Sequence, residues 1–188
     1  MKNSTEESVT TLETILIVLR GNSASGKTTI AKRLQDHFGR GTLLVSQDVV
    51  RRDMLKVQDR EGNLSTELIR QITEYGKGRC PIVILEGIFM KHRYEELLLD
   101  LIRFYDGEAF VYYFNLPFEK TMERHNTRPQ SQDFGEASLQ KWWTPKDDLG
   151  VPGEQLLTEE MSEQAIVELI CSQVEEYQRG NKSKGAST

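Results

Sequence analysis

One stretch constrains this chain more than any other. Gly21-Asn22-Ser23-Ala24-Ser25-Gly26-Lys27-Thr28 matches the pattern G-x-x-x-x-G-K-[ST] at every fixed position. Before it runs Thr14-Ile15-Leu16-Ile17-Val18-Leu19-Arg20, an apolar, β-branched segment that reads as a buried strand. After it, Ile30, Ala31, Leu34 and Phe38 recur on one helical face. At ordinary residue usage the fixed positions coincide by chance in roughly one chain in a hundred of this length. The flanking strand and helix make coincidence rarer still.

The residue types suit phosphate. Glycines let the backbone wrap closely enough for its N–H groups to face phosphate oxygens, and the helix start adds free amides and a positive dipole end. Gly21, Asn22, Ser23, Ala24, Ser25, Gly26, Lys27, Thr28 and Thr29 are therefore the candidate nucleotide-binding residues. In such a loop the lysine reaches the β- and γ-phosphates and the hydroxyl of Thr28 holds Mg²⁺.

Bulk properties narrow the rest. A chain of 188 residues fits one domain with a sizeable core. A net charge of −5 argues against a broad basic footprint, so long nucleic acid is a poor expectation as partner. Cys80 and Cys171 lie far apart beside apolar segments and read as reduced thiols. The scattered His37, His92 and His125 give no zinc spacing. No apolar run reaches membrane-spanning length and residues 1–7 do not resemble a signal peptide, so the expected location is the cytoplasm, without a membrane partner.

Strand and helix signals alternate along the chain. Strands are expected at residues 42–46, 81–85 and 109–114, with a short edge strand at 155–157. Helical spacing is clearest in Tyr94, Leu97, Leu98, Leu101, Ile102 and Tyr105, and again in Ala165, Ile166, Leu169, Ile170, Val174 and Tyr177. A helical stretch opens after Asp48; Ser65 and Ser162 are candidate caps of later helices, and Pro117 suits the first turn of a helix ended by Pro129. Residues 129–150 lack a sustained apolar pattern. The expected organisation is a disordered lead-in over 1–12, one domain over 13–178 with a lid at about 124–150, and a disordered tail over 179–188. The fold class is α/β: a three-layer sandwich with a mainly parallel five-stranded sheet and a helical lid.

Ligands of such sheets lie beyond the carboxyl ends of the strands. Asp48 and Glu86 end the second and third strands, and both belong to the candidate site. For Asp48 two roles are open, proton acceptor from a hydroxyl or holder of a Mg²⁺-bound water; the structural alternative is a helix N-cap. Arg51 and Arg52, one turn on, are candidates for binding an anionic or polar substrate. Glu86 is a substrate-binding candidate or, like Asp48, one that reaches Mg²⁺ through water; Gly87 beside it would admit a ligand closely, and the alternative is a hydrogen bond to the next helix. Arg124 and Arg128, at i and i+4, are candidate catalytic lid arginines alongside Lys27 and Asp48. Trp142 and Trp143 read as loop anchors, with stacking on a substrate as the alternative. Asp133-Phe134-Gly135 has no catalytic-loop H-R-D to accompany it, and Asp59-Arg60-Glu61-Gly62 lies in a polar loop, so neither supports a protein-kinase or GTPase reading.

With these residues, the chain resembles the small phosphate-loop kinases that include zeta toxins, chloramphenicol phosphotransferase and the kinase domain of polynucleotide kinase. The resemblance rests on Gly21–Thr28, on Asp48-Val49-Val50-Arg51 as a D-x-x-R, on Glu86-Gly87 and on the Arg124/Arg128 pair; it covers residues 14 to 130. It implies ATP and Mg²⁺ as cofactors, Asp48 as the base that activates a hydroxyl, and the two arginines as lid residues. The acceptor does not carry over. A small-molecule hydroxyl such as that of a nucleoside, nucleotide sugar or antibiotic is the expectation; the alternatives are a nucleoside or nucleoside monophosphate kinase without a base, and an ATP-dependent switch. An antitoxin-like protein partner is a further expectation that attaches only to the toxin members.

Overall fold

The computed structural model describes residues 12–126 and 136–185. Its first strand, β1 (Ile15–Gly21), is buried at all seven positions, because helices cover both faces of the sheet it centres. The strands β2 (Leu43–Ser46), β3 (Ile82–Gly87), β4 (Ala109–Phe114) and β5 (Gln155–Leu157) complete a five-stranded sheet in the order β2-β3-β1-β4-β5. Every pairing is parallel.

Alternation along the strands sorts the core into two layers. Ile15, Ile17 and Leu19 of β1 meet Ile30, Ala31 and Leu34 of α1 (Lys27–Phe38) and Ile166, Ile170 and Val174 of the C-terminal helix. Leu16 and Val18 face the other way, onto Ile69 of α2 (Leu64–Gly76) and Tyr94, Leu97, Leu98 and Leu101 of α3 (Lys91–Phe104). Each such aliphatic side chain contributes about 1.5–3 kcal/mol when fully buried. The chain leaves β1 through α1 toward β2 on one side and returns from β3 through α3 to β4 on the other. The carboxyl ends of β1 and β3 therefore adjoin where the chain changes direction, the place such folds keep for ligands.

α4 (Phe118–Asn126), α5 (Glu136–Trp142) and α6 (Glu163–Gly185) complete the fold. Ser162 Oγ accepts from Ala165 N–H at 3.1 Å, capping α6 as its sequence predicts.

The structure corrects four local expectations. The cap of α2 is Asn63, whose Oδ1 accepts from Ser65 N–H at 2.9 Å; Ser65 is the recipient rather than the cap. The helical turn after Asp48 is a π-helical segment, Val49–Met54, wider than an ordinary turn. Residues 136–142 within the supposed irregular stretch form α5. α6 continues to Gly185, so the chain is helical where a disordered tail is expected from Arg179, and Asn181 Nδ2 reaches Glu13 Oε1 at 2.5 Å. Among the described residues no helix is long and apolar enough to cross a membrane.

Candidate active site

The loop joining β1 to α1 is built on backbone that side chains rarely adopt. Gly26 caps α1 at φ +101°, and a Cβ there would lie 3.3 Å from Arg124 Nη1. Lys27 is only 6 % exposed; its ammonium folds across the loop to donate to Asn22 O at 2.6 Å and Ser25 Oγ at 3.1 Å. Arg124, in the last turn of α4, donates from Nη1 to Ser25 O at 2.6 Å. Two cations thus converge on one loop of amides, an arrangement suited to a multiply charged anion.

Glu86 is 3 % exposed and accepts from the hydroxyls of Ser46 and Thr28, the latter at 3.1 Å. Ser46 and Glu86 are register partners on β2 and β3, so the sheet itself fixes the carboxylate and presents it to the first turn of α1. The expected alternative, a bond to the helix that follows, is not what the carboxylate makes. Gly87 is packed on its Cα side. The space a Cβ would occupy there is filled by Gln47 Oε1 and Phe89 Cε2, both at 2.6 Å, so these side chains require a glycine at this position.

Asp48 begins the π-helical segment yet makes no capping hydrogen bond. Its half-exposed carboxylate instead pairs with Arg51 Nη2 at 2.9 Å and Arg52 Nε at 3.2 Å. With Ser23 to Thr28, Glu86 and Gly87, Asp48 lines a single polar pocket. Thr28 and Glu86 are hard oxygen donors, the type Mg²⁺ takes. Among the described residues no group of three or more His, Cys, Asp or Glu could hold a metal by itself.

Arg128 lies outside the described residues, as does Asp133-Phe134-Gly135. The two tryptophans separate. Trp143 packs edge-on against Phe118 with ring centroids 5.8 Å apart, as an anchor does, whereas Trp142 is 45 % exposed.

Gln47 and Arg20 shape the site without being singled out in the sequence reading, and for Asn22, named there as a phosphate-loop residue, it is the partner that escapes. Gln47, 2 % exposed, accepts from Ile88 N–H at 2.8 Å and fixes the turn after β3. Asn22 exchanges two bonds with the backbone of Thr144, donating to its carbonyl at 2.7 Å and accepting from its N–H at 2.9 Å. Arg20 is fully buried, donating to Asp147 O at 2.6 Å, Phe89 O at 2.8 Å and Asp147 Oδ2 at 3.1 Å. A charge ending an apolar strand is the one signal that marks Arg20 in the sequence. The consequence is a limit on the lid: Thr144 and Asp147, within its expected span, are clamped to the phosphate loop and to β1.

Comparison with known proteins agrees with this geometry. A model of the family described as "AAA domain" matches residues 16–145, from β1 past the Asn22–Thr144 clamp. A gluconokinase from Sinorhizobium meliloti is similar in structure with a TM-score of 0.65 at 15% identity, covering 90% of this chain and 97% of that one. The APS kinase of Mycobacterium tuberculosis, in complex with AMPPNP and APS, has a TM-score of 0.64 at 15% identity, covering 87% and 98%. Shikimate kinase from Acinetobacter baumannii, in complex with shikimate, has a TM-score of 0.58 at 18% identity, covering 88% and 96%. At these identities the likeness is one of fold. No curated protein sequence matches the chain. With a family match over more than half its length, on the phosphate loop and the strands that carry the site, the chain belongs to the AAA domain family.

Proposed function

We propose that the protein is an ATP- and Mg²⁺-dependent phosphotransferase that moves the γ-phosphate of ATP to a hydroxyl of a small molecule. One observation carries the reading: Asp48 lines the same polar pocket as Lys27, Thr28 and Glu86. A carboxylate at the mouth of a phosphate loop has a proton-accepting task that a mere nucleotide binder lacks. Small kinases of the same fold add support.

In this account the loop amides and Lys27 would hold the β- and γ-phosphates, and the Thr28 hydroxyl and Glu86 would hold Mg²⁺. Bound Mg²⁺ neutralises charge on the β- and γ-oxygens. Asp48 takes the proton from the acceptor hydroxyl as its oxygen bonds to the γ-phosphorus. The bond from that phosphorus to the β–γ bridging oxygen breaks, ADP leaves, and the proton passes to solvent. Arg124, already on the loop carbonyl of Ser25, stabilises charge on the phosphoryl group in flight.

The test is ATP consumption with Mg²⁺ against nucleosides, nucleotide sugars, antibiotics and other small alcohols. Lys27→Ala is expected to abolish acceptor-stimulated turnover, and Asp48→Asn to lower kcat by about 10²–10⁴-fold while the fold persists. An Asp48→Asn enzyme with unchanged kcat would remove the base and point to an acceptor oxygen that is already anionic.

A further inference from the structure

Beside the phosphate pocket lies a second cavity, of about 450 Å³, whose lining includes Arg51, Arg52, Asp59, Ile88, Arg93 and Trp142. Ile88 lines both cavities, and Asp48 of the first is ion-paired to Arg51 and Arg52 of the second. The two spaces therefore adjoin, with the Asp48 ion pairs between them. The volume is that of a small-molecule site.

Its chemistry is unusual for a surface hollow. Guanidiniums come from two separate elements, Arg51 and Arg52 from the π-helical segment and Arg93 from the first turn of α3. Against these three cations the lining carries one carboxylate, Asp59, held by Arg93 Nη1 at 3.0 Å and by the Tyr94 hydroxyl. The lining thus bears two excess positive charges, of which Asp48 offsets one from next door. Arg51 has 12 % of its side chain exposed, and its buried Nε has no hydrogen-bond partner. In the same lining, Ile88, Met90 and the exposed residue Trp142 supply apolar and aromatic surface.

Resting on the phosphotransferase reading, we infer that the acceptor is an oxyanion: a small compound with a carboxylate, sulfate or phosphate group and a flat ring, its hydroxyl presented at Asp48. The arginines hold the anionic end, Trp142 covers the ring, and the Asp48 pairs with Arg51 and Arg52 bring the hydroxyl to the γ-phosphate. Planar, forked donors suit this role better than lysines, because they grip an oxyanion with two parallel bonds.

The experiment uses matched compounds: 4-(hydroxymethyl)benzoate, 4-(hydroxymethyl)benzenesulfonate and 4-(hydroxymethyl)phenyl phosphate against the neutral 4-(hydroxymethyl)benzamide. Binding is followed by tryptophan fluorescence, with Trp142→Phe identifying the reporter, and turnover by phosphorylation from Mg²⁺-ATP. The anionic members are expected to bind at least about tenfold more tightly than the amide, and Arg93→Gln to erase that preference while leaving nucleotide affinity within about twofold. Which anion binds best separates the carboxylate, sulfate and phosphate sources. Equal binding of the anions and the amide, or a preference that survives both Arg93→Gln and Arg52→Gln, overturns the inference. The binding comparison decides the oxyanion site whether or not a compound is phosphorylated, and the kinase reading stands or falls separately on the wider acceptor panel.

Discussion

Replacing Arg20 by Met tests how the site is held together. Arg20 is 0 % exposed, and its guanidinium serves Phe89 O, Asp147 O and Asp147 Oδ2, with Glu154 Oε1 at 3.6 Å. Met keeps much of the apolar stem but removes every donor, together with the guanidinium whose carbon lies 5.4 Å from the Tyr113 ring centroid. Among the described residues, the Asp147 carboxylate would keep only the Lys91 N–H at 2.9 Å, and that of Glu154 the N–H groups of Leu149 and Gly150 at 3.0 and 2.6 Å. Removing one partner of a buried ion pair costs about 3–5 kcal/mol, and the remaining amides place this case toward 3. In a chain of 188 residues this corresponds to a fall in Tm of roughly 6–20 °C, nearer the lower figure. Circular dichroism melts and urea titrations of Arg20→Met, Asp147→Ala and the double variant would measure it. A coupling energy of about 1–3 kcal/mol between the two positions is expected. A single variant within 1 kcal/mol of the parent, or strictly additive effects, would refute the claim that this pair pins the segment after α5 to β1.

Other outcomes follow from the same contacts. Gly21→Ala should destabilise by about 2–6 kcal/mol, since φ is +146° and the new Cβ would meet Phe114 Cβ and O at 2.9 Å; Gly39→Ala, with nothing within 4 Å, should cost only the strain of its φ of +76°. Asn22→Ala should orphan the Thr144 amide and carbonyl at a cost of about 1–3 kcal/mol, read as faster hydrogen exchange at Thr144. Stability should decline at alkaline pH. Burial, helped by the charge of Glu175, pushes the Cys171 thiol from 9.0 up to about 11, and burial also raises the phenols of Tyr105 and Tyr112 above 10.0. The folded state holds these protons more tightly, so their contribution is complete below pH 9 and is lost as pH climbs through the folded values. Urea midpoints from pH 7 to 11 would show it; a flat profile would contradict it.

The parts legible in the sequence are those set by neighbouring residues. β1, the phosphate loop and α1 announce themselves because apolar alternation, glycines and helical spacing follow one another within a few residues. Asp48 and Glu86 are found because each stands at the end of an apolar strand, and parallel sheets gather such ends on one edge. What escapes is long-range. Asn22 meets Thr144 across 122 positions and Arg20 meets Asp147 across 127, and nothing in the local pattern of either segment foretells its partner. Asn63 and Ser65 are both good caps, and only the geometry of the turn selects Asn63. The end of α6 is polar enough to read as a tail, yet Asn181 reaches Glu13 across 168 positions and the helix continues.

The central claim concerns where the γ-phosphate goes. With γ-labelled ATP, Mg²⁺ and an accepted hydroxyl compound, the label should appear in an acid-stable phosphate ester, at a rate that saturates with acceptor and collapses in Asp48→Asn. Label released only as inorganic phosphate, slowly and at the same rate with or without every acceptor tried, would contradict the account.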